Sequence, residues 1–365
     1  MPRPPQYSGH PFGAILALWA AALMLAGCAS HPRLDPPPLP AAFSLPVDHD
    51  PVTGQPFLHL SVLSYNVAGL PWPRRANAGE AMARIAAAWP EEFAYGSPDV
   101  VVLQEAFVPS ATRMMGEVGY TNLVRGPQRG TRADPLVGPA DRAFRKGRRL
   151  LRGERLGRRA NSGLLAATDL AVANVRVHPF GGHSCAGYDC LANKGVQLVE
   201  IDLPGMPEPL FILNTHLNSR DSSGASEERS LYAYRRQLTQ IEAFLDRAWR
   251  GRGPLIWTGD FNARHDPDRF AAKEEHIRGE LAHRHCIRHP DLCVVTASWD
   301  NDEPWMDTQD LQGFVQGQRV NIEPVAIRAR FDAPINGRML SDHDGLEVVW
   351  RLYWSEGEAE SHAGL

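Results

Sequence analysis

The sequence predicts one α/β domain over about residues 57–353, on three observations. Short β-rich apolar runs bounded by turn residues recur along the chain, helical periodicities separate them, and polar residues follow directly on several runs. The 365 residues are 43% apolar, 22% charged and 8% aromatic, which excludes collagen-like, coiled-coil and wholly disordered chains. No apolar run reaches the roughly 18 residues that span a bilayer as a helix, so a multi-pass membrane protein is excluded. A net charge of −4 argues against a protein that coats nucleic acid by bulk electrostatics.

In chain order, residues 1–27 read as a signal peptide. Arg3 and His10 precede an apolar stretch from Ala14 to Ala26, and Leu25-Ala26-Gly27-Cys28 follows. This ending resembles a bacterial lipobox, which implies a diacylated Cys28 as the new N-terminus and stable anchoring in a membrane. The expected location is a bacterial envelope, at the outer membrane facing the periplasm or the cell surface. Residues 28–56 are proline-rich and aperiodic, a tether stiffened by polyproline II geometry. The expected strands are Leu58–Tyr65, Asp99–Gln104, Gly163–Ala167, Gly195–Ile201, Leu210–Thr215, Pro254–Thr258 and Gly345–Trp350. Residues 79–89 are alanine-rich, and Leu231, Tyr234, Leu238, Ile241, Leu245 and Ala248 recur at helical spacing. Residues 354–365 read as a tail.

Two features stand apart. From Arg125 to Arg159 there are twelve Lys or Arg against three acidic residues. Such a run is a solvated face or flexible insertion, or else a patch for anionic lipid or nucleic acid. Phe144, Leu150, Leu151 and Leu156 interleave with the arginines, as in a helix lying on a membrane interface. The cysteines beyond Cys28 fall as two close pairs, Cys185–Cys190 and Cys286–Cys293, and export to an oxidising compartment predicts two local disulfides. The rival is zinc, with His283, His285 and His289 beside the second pair.

The chemistry lies in six strings read as strand ends: SYN at 64–66, LQE at 103–105, NTH at 214–216, WTGDFNAR at 257–264, DTQD at 307–310 and SDH at 341–343. Polar residues at strand ends gather on one sheet edge, where loops build sites. Each string alone reads as a turn, a cap or a hydrogen-bonded core residue. Together, the hard oxygen ligands Glu105, Asn66 and Asp260 suit magnesium, and two histidines suit proton transfer and oxyanion stabilisation. No GxSxG or Cys-His nucleophile is present, so the implied chemistry is metal-assisted attack of water on phosphorus.

The ordered series Asn66, Glu105, His216, Asp260-x-Asn262 and Ser341-Asp342-His343 resembles the endonuclease/exonuclease/phosphatase superfamily over roughly residues 58–352. The resemblance implies a deoxyribonuclease-I-like four-layer sandwich, two packed, mostly antiparallel sheets with helices outside. It implies Glu105 and Asn66 as ligands of magnesium, with manganese or calcium as alternatives, and Asp342 as a further metal or water contact. His343 matches the general base, oriented by Asp310 in preference to Asp307. Asp260 and Asn262 match the pair that positions water or leaving group, and His216 the histidine that stabilises phosphate charge.

Two strings bear on substrate. SGLLAAT at 162–168 resembles a run of neutral and bacterial sphingomyelinases, and CLANKGV at 190–196 a strand start shared with inositol-polyphosphate 5-phosphatases. Lys194 in the latter supplies a charge for a lipid phosphate. The 5-phosphatase string W-x-G-D-x-N-x-R is present, but their Cys-Asp-Arg signature is only half present in PWMDT at 304–308. The reading is therefore a monomeric sphingomyelinase C-like phosphodiesterase acting on phospholipid. The alternatives are a nuclease acting on nucleic acid, an inositol-phosphate phosphatase, and a catalytically dead binding lipoprotein.

Overall fold

The chain builds two sheets whose strands are apolar on both sides. The computed structural model describes residues 39, 41, 43–71, 74–133, 138–299, 309–335 and 337–355. The signal peptide, Cys28 and the whole PWMDT string with Asp307 lie outside the described residues.

The first sheet centres on β2 (Pro56–Asn66), which pairs antiparallel with β14 (Gly345–Trp354) and parallel with β3 (Val100–Gln104). Beyond β3 come β5 (Leu165–Thr168) and the edge strand β4 (Asn122–Arg125). Beyond β14 come β13 (Val320–Arg330) and the short β11 (Val294–Thr296), while β1 (Asp48–His49) pairs with β2. The second sheet runs β10 (Glu280–Leu281), β12 (Asp310–Val315), β9 (Leu255–Asp260), β8 (Leu210–His216), β7 (Gly195–Asp202) and β6 (Ala171–Pro179). All its pairs are antiparallel except β8 with β9.

Side-chain alternation along a strand explains the layers. Leu58, Leu60 and Val62 of β2, Val100 and Val102 of β3, and Leu210 and Ile212 of β8 enter one cluster between the sheets. Their neighbours point outward instead. Leu63, Tyr65, Val101 and Leu103 meet α1 (Ala78–Glu92) and α2 (Pro109–Glu117) through Met82, Ile85, Trp89, Met114 and Met115. Phe211, Leu213 and Trp257 meet α4 (Glu227–Ala248) through Tyr234, Leu238 and Ile241, and α5 (Pro267–His276) through Ala272. Strands buried on both faces read as continuous apolar runs, which is why these were legible in the sequence.

Three long strands were not. β6, β12 and β13 mix polar residues into their runs, and Pro324 lies inside β13. A proline cannot donate to the ladder, and the β13–β14 register shifts between Pro324 and Ala326. Sheet pairing also extends ahead of residue 57, since Leu39 bridges to Val172 and β1 forms within the segment read as tether.

Both local disulfides are present, Cys185–Cys190 and Cys286–Cys293. The second consumes the thiols that a zinc site would need, and His285 faces Glu280 at 3.2 Å. The described residues of the basic segment do not form one interfacial helix. It folds as α3 (Pro139–Lys146) and a single 3-10 turn at Leu150–Arg152. Phe144 stacks on Tyr232 at 4.4 Å, so that aromatic is taken by α4. No helix among the described residues is long and apolar enough to cross a membrane.

Candidate active site

Six of the named residues reach one edge of the sandwich, by two routes. Asn66, His216 and Asp260 end β2, β8 and β9, and Glu105 follows β3. Asp310 and His343 instead precede or begin strands, contrary to the strand-end reading. They still arrive at the same edge because β12 runs antiparallel to β9, and β14 antiparallel to β2. Register places His216 opposite Asp260, and Asp260 opposite Asp310, across three adjacent strands.

Buried amides lock the two sheets together behind this row. Gln312 Nε2 donates to Val62 O (3.0 Å) and Leu346 O (2.7 Å), and Gln104 Nε2 donates to Asn214 Oδ1 (2.8 Å). Asn214 Nδ2 in turn donates to Leu103 O (3.2 Å). These bonds fix the residues of one sheet against those of the other, since a buried amide left unpaired is costly.

His343 is the centre of the cluster. Its Nδ1 lies 2.6 Å from Asp310 Oδ2, and its Nε2 faces the amide nitrogens of Gln309 (2.9 Å) and Asn66 (3.4 Å). Two donors at Nε2 favour the neutral ring with its proton on Nδ1. Burial also disfavours charge, but Asp310, Asp260 and Asp342 outweigh it and raise the imidazole to about 10. Asp260 accepts from Asn66 Nδ2 (2.9 Å) and from the Asn262 backbone N–H (2.9 Å), and its Oδ2 lies 3.3 Å from His216 Nε2. Burial, then Asp310, push Asp260 up to about 6. Among the described residues, Asp260, Asp310 and His343 form the group whose ligand atoms converge within 4.8 Å.

Glu105 sits in the left-handed region at φ 54°, a strained conformation for a side-chain-bearing residue. Two glycines admit it: a Cβ on Gly69 would come 2.6 Å from Glu105 O, and one on Gly163 would come 3.2 Å from Glu105 Cα. Burial pushes this carboxyl up to about 7, with Lys194 opposing. No described side chain or backbone N–H bonds or ion-pairs its carboxylate. A half-buried acid left without a protein donor suits a cation, and Glu105 together with the Asn66 and Asp260 oxygens would make the hard-oxygen set that magnesium takes. Asp342 is exposed and lies outside the converging group.

Lys194 is not a free positive charge. Its Nζ lies 3.1 Å from Asp189 Oδ2, 3.0 Å from His216 Nε2 and 2.9 Å from Leu217 O. Burial and then Lys194 hold His216 well below the ordinary histidine range, so it is a neutral ring. Asn262, at φ 48°, donates its amide to Leu217 O (3.2 Å). Gln309, Ser341 and Arg269 complete the frame. Ser341 Oγ donates to Asn66 O (2.6 Å), tying the SDH string to the end of β2. Arg269, fully buried, donates to Asn218 O (2.7 Å) and Asn262 O (3.0 Å). It also donates to Ser230 Oγ (3.1 Å) and faces Asp266 (3.6 Å), and nothing in the sequence marked it.

A cleft of about 420 Å³ opens beside Glu105, Lys194 and His216. Phe107, Tyr188 and Leu191 form apolar walls, with Arg74 and Arg159 at its sides.

The fold and this edge define a class, and sequence comparison agrees. Residues 63–332 match the model of the Endonuclease/Exonuclease/phosphatase family, and the chain belongs to that family. No curated protein matches it in sequence. Solved structures share the fold at low identity. A Staphylococcus aureus beta toxin variant with bound magnesium ions is 15% identical, with 81% of this chain and 99% of that one covered at TM-score 0.53. Sphingomyelinase C from Streptomyces griseocarneus is 19% identical, with 80% and 99% covered at 0.53. D. rerio TDP2 complexed with a single-strand DNA product is 16% identical, with 80% and 98% covered at 0.50.

Proposed function

We propose that the protein is a magnesium-dependent phosphodiesterase that hydrolyses phospholipid head groups in the manner of a sphingomyelinase C. The observation that carries this reading is the convergence of an Asp310–His343 pair and the donor-free carboxylate of Glu105 on one edge. Glu105 and Asn66 would hold a divalent cation, which would supply charge to polarise a phosphoryl oxygen and would favour the neutral form of His343.

The chain's own groups do the rest. Asp310 accepts the Nδ1 proton of His343 and keeps Nε2 turned to the site. Nε2, now facing the Gln309 amide at 2.9 Å, accepts a proton from a water that takes that place and attacks phosphorus. The phosphorus–oxygen bond to the leaving group breaks as the new one forms. Asp260 and Asn262 orient water or leaving group. Lys194, fixed by Asp189, keeps His216 neutral and adds positive charge near the phosphate.

The apolar walls at Phe107, Tyr188 and Leu191 support an amphiphilic substrate over a sugar phosphate. Arg74 and Arg159 favour a second reading, a nuclease that holds a phosphodiester backbone. Lipid anchoring through Cys28, in an envelope membrane of a bacterium, agrees with the first. The test offers sphingomyelin, phosphatidylcholine, phosphoinositides and plasmid DNA side by side with magnesium. Release of phosphorylated head group supports the proposal; cleavage of DNA alone refutes it.

A further inference from the structure

The basic segment plays no part in the chemistry above, yet its arrangement is specific. Its described acids turn inward. Asp141 accepts from Tyr232 Oη (3.0 Å) and pairs with Arg236 (2.8 Å). Glu154 takes Arg229 Nε (2.6 Å) and the backbone N–H groups of Arg149 (2.6 Å) and Gly187 (3.0 Å). The positive charge is thereby left outside. Arg149, Arg152 and Arg235 meet no acidic side chain at ion-pair distance among the described residues, and with Arg229 they outnumber Glu154 and Glu228 in lining a cavity of about 760 Å³ between this segment and α4.

Beside these arginines stand apolar groups in water. Leu151 is 88% exposed, Leu150 54% and Leu156 44%. A scattered exposed leucine is ordinary, but three within seven residues, interleaved with unpaired arginines, form an amphipathic face. The face adjoins the catalytic cleft. A Cβ at Gly153 would come 3.2 Å from Leu191 and 3.3 Å from Tyr188, two of the three residues that wall the cleft.

We propose that the face Arg149–Leu156, with the arginine-lined cavity behind it, docks on an anionic phospholipid bilayer. The leucines enter the acyl boundary, the arginines take lipid phosphates, and the cleft beside Tyr188 is brought to the lipid surface. Charge complementarity alone would also suit a nucleic-acid backbone, but such a backbone offers nothing to the leucines, whereas a bilayer serves both. The proposal deepens the phospholipid reading and rests on it.

The test uses the full chain carrying Cys28→Ala, with a single Leu151→Cys labelled by an environment-sensitive dye. Vesicles of phosphatidylcholine with one third phosphatidylglycerol should shift the dye to the blue at low salt, and pure phosphatidylcholine vesicles should not. Arg149→Gln with Arg152→Gln should weaken vesicle affinity about 30-fold. Hydrolysis of a soluble phosphodiester by that variant should stay at wild-type rate, which reports an intact fold. The same dye at Ile287→Cys, exposed on α6 (Ala282–Arg288), should stay unshifted. No shift at position 151, equal shifts at both positions, or a shift with single-stranded DNA but not vesicles overturns the proposal. A shifted dye in a protein that hydrolyses no phosphodiester sinks the enzymatic reading and leaves docking standing.

Discussion

Replacing Glu105 by Gln separates function from stability with opposite signs. Burial holds this carboxyl up from 4.5 to about 7, because its ionised form lacks a protein donor. The folded value lies above the unfolded one, so its contribution to stability is present in full below about pH 4.5 and is lost as pH rises through about 7. The difference corresponds to on the order of 3 kcal/mol. Glu105→Gln keeps the shape and removes the ionisation. In EDTA at pH 8 the variant should therefore melt higher than wild type by roughly 5 °C, with the gap closing toward pH 4.5. Magnesium should raise the wild-type Tm and leave the variant unmoved. Turnover should fall on the order of 10³-fold or more. Calorimetry in EDTA and in magnesium across that pH range, with head-group release as the rate assay, reads all of these. Equal melting of the two proteins at pH 8, or the same magnesium response in both, would refute the assignment of Glu105 as a ligand carboxylate.

Four further outcomes follow from named contacts. Asp310→Asn removes the charge 2.6 Å from His343 Nδ1 and should lower turnover on the order of 10³–10⁴-fold in kinetics on a soluble diester, while Asp307→Asn stays close to wild type. The His343 value is raised above 6.5, so the stability from this pair is full below about pH 6.5 and lost as pH rises through about 10; melting of Asp310→Asn against wild type should show that slope disappear. Reducing either disulfide should cost about 2 kcal/mol, since each closes a loop of few residues, and denaturant melts of Cys→Ala pairs measure it. Cys28→Ala should abolish incorporation of a palmitate analogue; an unlabelled wild type would refute the anchor.

The central strands were legible because burial on both faces leaves little room for polar residues. β2, β3, β8 and β9 carry runs such as Val100–Leu103 that need no neighbour to identify them. β12 and β13 draw their stability from pairing with β9 and β14, and their polar residues bond to partners far along the chain, as Gln312 Nε2 does to Val62 and Leu346. Such partners leave no local pattern.

The same division runs through the site. Residue type and order in the strings from Asn66 to His343 carry the chemical inventory, because hard oxygen donors and imidazoles have few substitutes for that task. The pairing of His343 with Asp310 depends on a distance between strands of different sheets, while the donor-free carboxylate of Glu105 and the capture of Lys194 by Asp189 depend on how the loops fold beside the strand ends. The fate of the basic segment was likewise decided in three dimensions. Its charge was countable in the chain, but only packing against α4 and the loop at Gly187 turned Asp141 and Glu154 inward and left Leu151 facing water. Composition determines which groups are available; the inter-sheet contacts determine which of them keep their charge, lose it, or face a partner.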